Sequence, residues 1–256
     1  MARGYDLLGN IAIIEEESRA DERKKAKELL STHKQISTVL AKAGAVTGIY
    51  RIRKVRYVAG KKNYIADYRE NNCLFRFDVR KTFFSNRLSF ERTRILGLVK
   101  PEEDVMVMFA GVGPFAIEIA KSQRKSTVRC IELNRDAYNY LLENVRLNKV
   151  KNVTAQCGDV KKLSKKNEGF ADRVVMPMPK TSLSFLDDAL RVSKRKSVIH
   201  LYTFGPAESV VKNTKKAIRE HAKKNRYSVK FLSDRVVRPY SAMETEIVLD
   251  FTVIKK

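Results

Sequence analysis

The sequence predicts an α/β chain, a doubly wound domain of parallel strands and helices preceded by a small α+β domain, and three observations carry this. The first is the run Met106-Val-Met-Phe-Ala-Gly-Val-Gly-Pro-Phe115, in which an apolar segment of strand length enters a Gly-x-Gly turn and helical spacing follows. The second is the alternation of helix-like and strand-like segments from Asp136 to Lys224. The third is a pair of long β-like runs near the end, Tyr227 to Val237 and Glu246 to Ile254, joined through Arg238-Pro-Tyr-Ser.

The Gly-x-Gly turn is where such a domain meets a ligand. Gly111 and Gly113 tolerate positive φ and let backbone approach a bound molecule, and the following helix offers unpaired N–H groups and positive potential. A third glycine of the dinucleotide fingerprint would fall where Ala116 stands, which argues against a nicotinamide cofactor. The segment Ser126 to Glu132 reads as the next strand and ends in an acid, at the ~20-residue interval where a carboxylate meets a ribose diol.

The remaining elements follow in order. Tyr5 to Ile14 has two apolar arms about Gly9-Asn10, a bulged strand or a hairpin. Asp21 to Ala43 carries Ala26, Leu29, Leu30, His33, Ile36, Val39 and Leu40 at three- and four-residue spacing, the pattern of one amphipathic helix ending near Gly44. Short strands follow from Val46 to Phe77, with a turn at Gly60-Lys-Lys-Asn and a strand from Cys73. Arg51, Arg53, Lys54 and Arg56 lie beside Tyr50 and Tyr57, a pattern that suits both a nucleic-acid backbone and a solvated strand face. Phe83 to Leu96 runs from an aromatic strand end into a helix that Pro101 terminates. Further on come helix Asp136–Asn148, strand Val153–Cys157 with Gly158-Asp159 behind it, strand Ala171–Met176 followed by Pro177-Met-Pro179, helix Ser182–Val192, strand Ser197–Phe204 and helix Ala207–Lys224. Ligands of open α/β sheets bind at strand carboxyl ends, so Gly111, Glu132, Asp159 and Pro177 are expected on one rim.

Charge narrows the partner. Against 29 Asp+Glu stand 52 Lys+Arg, a net +23 spread through every segment, and such a field favours polyanions, with nucleic acid ahead of a membrane surface or a merely solvated exterior. There is no run of about 18 apolar residues and no signal-peptide core after Met1, so a cytoplasmic chain is expected. Cys73, Cys130 and Cys157 have neither disulfide nor zinc spacing, and His33, His200 and His221 are scattered, so no metal is expected.

Together these motifs resemble the archaeal and eukaryotic tRNA guanine-N1 methyltransferases that act 3′ of the anticodon, at position 37. The match covers Tyr5-Asp-Leu-Leu-Gly-Asn-Ile-Ala, Arg51-Ile-Arg-Lys-Val, Arg69-Glu-Asn-Asn-Cys, Phe83-Phe-Ser-Asn-Arg-Leu-Ser-Phe-Glu-Arg, Met108-Phe-Ala-Gly-Val-Gly-Pro-Phe, Asp172-Arg-Val-Val-Met and Ile199-His-Leu-Tyr. The resemblance implies a small tRNA-binding and catalytic-support domain over residues 1–80 and a Rossmann-like domain over 81–256 that binds S-adenosylmethionine, acting as a monomer on the anticodon stem-loop. It implies Glu91 as general base, supported by Arg51 or Arg53. Arg92, Phe109, Gly111, Gly113, Glu132, Leu133, Asp159 and Val160 would hold the cofactor; Arg87, Pro177, Pro179, Lys54 and Arg56 would contact the substrate. By itself, a carboxylate at a helix start also suits pairing with Arg87 or Arg94.

The chemistry fits those residue types. Guanine N1 carries a proton that a carboxylate can take, and an arginine can meet the negative charge that develops toward O6. Four departures stand out. Val107 replaces an acid of the family pattern, which implies weaker cofactor binding; Pro177 stands where asparagine is common; Asn86 replaces a proline; and the extra domain with which some members grip the outer corner of tRNA has no counterpart, which implies looser substrate checking. The alternatives are the related wyosine-pathway transferase, which moves the aminocarboxypropyl arm of the same cofactor, and a tRNA-binding homologue without activity.

Overall fold

The computed structural model describes residues 4–178, 181–241 and 243–256, with the backbone alone for 45–47. In chain order, β1 (Tyr5–Leu8) and β2 (Ile11–Ile14) form a hairpin, α1 (Arg19–Thr32) follows, and β3 (Thr38–Thr47), β4 (Ile52–Gly60), β5 (Ile65–Glu70) and β6 (Cys73–Asp78) come next. A single 3₁₀ turn leads into α2 (Ser89–Leu98). Then come β7 (Asp104–Met108), α3 (Pro114–Ser122), β8 (Thr127–Glu132), α4 (Arg135–Leu147), β9 (Val153–Cys157), the short α5 (Val160–Leu163) and β10 (Ala171–Met176). The chain closes with α6 (Leu186–Val192), β11 (Ser193–Pro206), α7 (Val210–Lys224), β12 (Tyr227–Pro239) and β13 (Glu244–Lys255). No helix among the described residues is long and apolar enough to cross a membrane.

Contacts divide the chain into two units, one of Met1–Phe90, Gly111–Pro114 and Asn134–Lys149, the other of Glu91–Ala110, Phe115–Leu133 and Val150–Lys256. In the first, the sheet order is β1-β2-β3-β4, and α1 is the crossover that parallel β2 and β3 require. Gly9 turns the hairpin at φ +60, where a Cβ would stand 1.9 Å from the carbonyl oxygen of Asp67. The helix expected over Asp21–Ala43 ends at Thr32. Val39, Leu40 and Ala41 are all buried, so β3 is a strand covered on both faces, and an apolar run of that kind satisfies helical spacing as well. β5 and β6 turn through Asn71 and Asn72, both at positive φ, as a two-residue hairpin does.

Asparagines explain why α4 belongs to this unit, which the boundary expected at residue 80 did not include. Asn144 accepts from Arg76 N–H at 2.8 Å and donates to its carbonyl; Asn148 does the same with Leu74 at 2.8 and 2.7 Å. Spaced four residues apart on one helix face, two side-chain amides thus pair with the backbone edge of β6 as a neighbouring strand would. Asn144 also donates to Val112 O at 3.0 Å, tying the Gly111–Gly113 turn to the same strand.

The second unit is built on seven strands in the order β12-β13-β11-β10-β7-β8-β9. β11, β10, β7, β8 and β9 run parallel to one another, and β13 is antiparallel to both β11 and β12. From β7 the chain winds outward through β8 and β9, then returns to β10 on the other side, so the switch in winding lies between β7 and β10. The core is Met106, Met108, Val174, Met176, Ile199, Leu201, Leu249 and Phe251 with α6 and α7 packed over one face.

Candidate active site

Strand register brings three of the four residues expected on one rim to adjoining strand ends, while Gly111 belongs to the first unit. Met108 pairs with Ile131, Glu132 with Cys157, and Val107 with Val175, so Phe109, Glu132, Gly158-Asp159 and Pro177 all stand at carboxyl ends of adjoining strands in the second unit. Gly158 N–H donates to Glu132 O at 2.8 Å and Ala110 N–H to Ile131 O at 3.0 Å, which fixes the strand ends against one another. Phe109 is held at φ 59, a left-handed conformation that costs a non-glycine residue about 1–3 kcal/mol and that clusters at ligand sites. Its ring meets Phe185 edge-on at 4.9 Å. Asp159 accepts from Lys161 N–H at 2.8 Å and so caps α5, with Val160 buried behind it and Leu133 exposed beside Glu132.

This donor set fits a cationic nucleoside cofactor. Two carboxylates, Glu132 and Asp159, stand at the ends of adjoining strands and could accept from a ribose diol or face a positive charge, and aromatic Phe109 and Phe185 offer an apolar wall. The turn beyond β7 has Gly111 at φ +58 and Gly113 at φ +93; a Cβ on Gly111 would meet nothing nearer than 3.8 Å, so backbone conformation and not packing requires the glycine. Val107 is fully buried within β7. Arg92, also buried, directs its guanidinium to Glu118 at 3.5 Å and lies 6.0 Å from the Phe115 ring. Pro177 follows β10 directly, and Pro179 lies outside the described residues. Among the described residues no group of three or more His, Cys, Asp or Glu is placed to hold a metal ion. Burial pushes the Cys130 thiol up to about 12, so it is inert.

Glu91 lies in the second unit and is buried. Its Oε2 accepts from Arg94 Nε at 2.9 Å and from the Tyr202 hydroxyl at 3.0 Å, while Oε1 accepts no hydrogen bond from the described residues and stands 3.5 Å from Arg235 Nε. The Arg94 pairing suggested by the sequence is present; Arg87 instead pairs with Asp6 at 2.9 Å in the first unit. Tyr202 is one residue past the Met176–Leu201 pair and therefore level with Pro177 at the carboxyl end of β10. Burial pushes its phenol well above the usual range, so it remains a hydrogen-bond donor.

Behind Glu91 runs a chain of buried charges. Arg94 pairs with Asp250 at 2.5 Å, Asp250 accepts from His200 Nδ1 at 2.6 Å, and His200 Nε2 is 2.7 Å from Arg173, which in turn pairs with Glu103 at 2.7 Å. Arginine has donors only, so His200 Nε2 must accept and Nδ1 must carry the proton: the imidazole is neutral. Burial lowers the His200 pKa, in agreement with that tautomer. Desolvation alone would raise Asp250, but hydrogen bonds from His200 and Arg94 outweigh it and hold the carboxyl well below its ordinary range. Of these groups the sequence singled out Arg94 alone for a role. The signal for His200, and for Tyr202 beside Glu91, was present in Ile199-His-Leu-Tyr, where polar groups recur at every second position of an otherwise apolar central strand.

In the first unit, Arg51 is at φ 54 and its guanidinium lies 4.8 Å from the centre of the Phe83 ring, with Phe84 stacked on Phe77 at 4.7 Å. Arg53 is half-buried and Lys54 exposed. Arg56 is turned to the buried carboxylate of Glu22 on α1, so its charge is committed within the fold. Asn86, the departure from proline, donates its side-chain amide to Leu7 O at 3.0 Å.

Residues 66–230 match the model of the TRM5/TYW2 methyltransferase domain. The tRNA (guanine(37)-N(1))-methyltransferase Trm5b of Pyrococcus abyssi is 37% identical over 97% of this chain and 74% of its own length, and its crystal structure superposes with a TM-score of 0.87 over 98% of this chain and 74% of that one. A complex of aTrm5 with tRNALeu is 32% identical, with a TM-score of 0.83 over 98% and 72% of the two chains. TYW2 of Methanocaldococcus jannaschii bound to AdoMet is 26% identical, with a TM-score of 0.78 over 98% and 100%. A family model that matches more than half of the chain and a relative 37% identical over nearly all of it show that the chain belongs to the TRM5/TYW2 methyltransferase family.

Proposed function

We propose that this protein transfers the methyl group of S-adenosylmethionine to N1 of guanosine 37 in tRNA, with Glu91 as the general base. The observation that carries the reading is the asymmetry of Glu91: Oε2 is held by Arg94 and Tyr202, while Oε1 accepts no hydrogen bond from the described residues. A carboxylate held by hydrogen bonds at one oxygen, whose other oxygen has an ion-pair neighbour at 3.5 Å but no hydrogen bond, can accept an incoming N1–H. S-adenosylmethionine supplies an electrophilic methyl carbon on a sulfonium. Glu132 and Asp159 receive its ribose and charge, and Phe109 lines its path at the end of β7. Glu91 Oε1 takes the N1 proton, the freed nitrogen lone pair forms the bond to carbon, and the electron pair of the broken C–S bond stays on sulfur.

The basic first unit, with Lys54, binds the anticodon stem-loop, Arg51 or Arg53 supports the chemical step, and the protein acts in the cytoplasm as a monomer. Mass spectrometry of tRNA nucleosides after incubation with S-adenosylmethionine tests the reading. The expected product is 1-methylguanosine; a product heavier by an aminocarboxypropyl group assigns the wyosine-pathway reaction instead, and unmodified nucleosides overturn both.

A further inference from the structure

Arg235 shares a cross-strand row with the tyrosine that holds Glu91. In the antiparallel ladders Arg235 pairs with Val248 and Val248 with Tyr202, so side chains 235, 248 and 202 leave the same face of the sheet in one line. Glu91 reaches both ends of that row, Tyr202 through Oε2 and Arg235 through Oε1. Two register shifts in β12, between Phe231 and Ser233 and between Val236 and Arg238, flank the arginine. Bulges of this kind re-aim side chains and are common beside active sites. The Arg235 side chain is 36% exposed while that of Glu91 is 3% exposed, so the guanidinium forms the solvent side of the pair.

We propose that Arg235 is a catalytic residue that meets the target base beside Glu91. The proposal rests on the methyltransferase reading above. A carboxylate oxygen and a guanidinium N–H standing 3.5 Å apart are an acceptor and a donor side by side. Guanine offers the complementary pair on one edge, with N1–H as donor and O6 as acceptor. As the base enters, Glu91 Oε1 exchanges its arginine neighbour for N1–H, and Arg235 turns its donors to O6. When the N1 proton passes to Glu91, the negative charge left on the N1–O6 system faces a guanidinium within the same unit. The same arrangement favours guanine over adenine, whose edge presents an acceptor at N1 and a donor at N6.

The test is single-turnover methyl transfer by the full-length protein at saturating tRNA and S-adenosylmethionine, together with tRNA affinity over a salt series. Arg235→Ala is expected to slow transfer roughly 10²-fold while tRNA affinity and its salt slope stay close to wild type, and Arg235→Lys is expected to recover part of the rate. A tRNA with 6-thioguanosine at the target position, whose sulfur is a poor hydrogen-bond acceptor, is expected to slow the wild type and to slow Arg235→Ala no further. Thermal melting checks that the variants are folded; because Arg235 is on an edge strand, Arg235→Gln supplies a second variant if Arg235→Ala melts early. An active wild type with Arg235→Ala equally fast, a loss confined to tRNA affinity, or losses from mutation and thio-substitution that simply add would overturn this proposal alone. A wild type that never methylates guanosine overturns the underlying reading and this proposal with it.

Discussion

The Tyr202 hydroxyl donates to Glu91 Oε2 at 3.0 Å, a bond between residues 111 apart in sequence. With Arg94 it sets the direction in which the other carboxylate oxygen points. Tyr202→Phe keeps the ring beside Phe115 and removes only the donor, so the carboxylate loses a bond of about 1.5–3 kcal/mol. Methyl transfer is expected to slow roughly 10-fold or more with the KM for cofactor unchanged. Glu91→Gln preserves size but cannot take the proton, and a fall of roughly 10² or more in single-turnover rate is expected with cofactor binding intact. An unaltered rate in Glu91→Gln places the base elsewhere.

Asp250 joins His200 to Arg94, and its folded pKa lies below that of an unfolded aspartate because their hydrogen bonds outweigh desolvation. The stability this contributes is complete above the unfolded value of about 3.9 and is lost as pH falls below it toward the folded value. Thermal melts between neutral pH and pH 3 are expected to show that loss in the wild type. Asp250→Asn is expected to be about 1–3 kcal/mol less stable at neutral pH, because half-buried Arg94 loses one of its two carboxylate partners and keeps Glu91, and to show a shallower decline in acid. Identical acid profiles for the two proteins would show that the pair carries no such linkage.

Arg56 and Lys54 are two residues apart on β4 but have different surroundings. Arg56→Ala leaves Glu22 buried without its cation and is expected to cost about 1–3 kcal/mol in denaturant unfolding. Lys54→Ala is expected to leave stability alone and reduce the magnitude of the log K against log salt slope for tRNA by somewhat less than about one unit. Arg51→Ala, or Arg53→Ala, is expected to lower the methyl-transfer rate with little change in affinity. If Arg56→Ala melts like the wild type and shares the salt effect of Lys54→Ala, Arg56 belongs to the RNA-binding face after all.

Glu132 ends β8 next to the start of the Asp159 turn. Removing its carboxylate takes a charged acceptor from two ribose hydroxyls, so Glu132→Ala is expected to weaken S-adenosylmethionine binding by about 1–3 kcal/mol. Isothermal calorimetry measures it directly. Equal affinity would remove Glu132 from the cofactor site, and the same titration with Asp159→Ala then identifies which strand end binds.

Sequence alone determined the parts of this protein that depend on local pattern. An apolar strand entering Gly111-x-Gly113, an acid closing the next strand at Glu132, and helix spacing after Pro114 each follow from period and backbone conformation, and register then aligned their ends as expected. Short-range pattern misread β3, because a strand buried on both faces has no alternation to distinguish it from a helix. It also could not assign α4, whose Asn144 and Asn148 look like ordinary polar helix positions until the unpaired edge of β6 lies beside them. The surroundings of Glu91 were decided by tertiary structure. Arg94 is within one helical turn of it and was legible, whereas Tyr202, Arg235 and Asp250 come from three strands whose antiparallel pairing lines up residues more than a hundred positions downstream, and only that registry places a donor at one carboxylate oxygen and a guanidinium at the other.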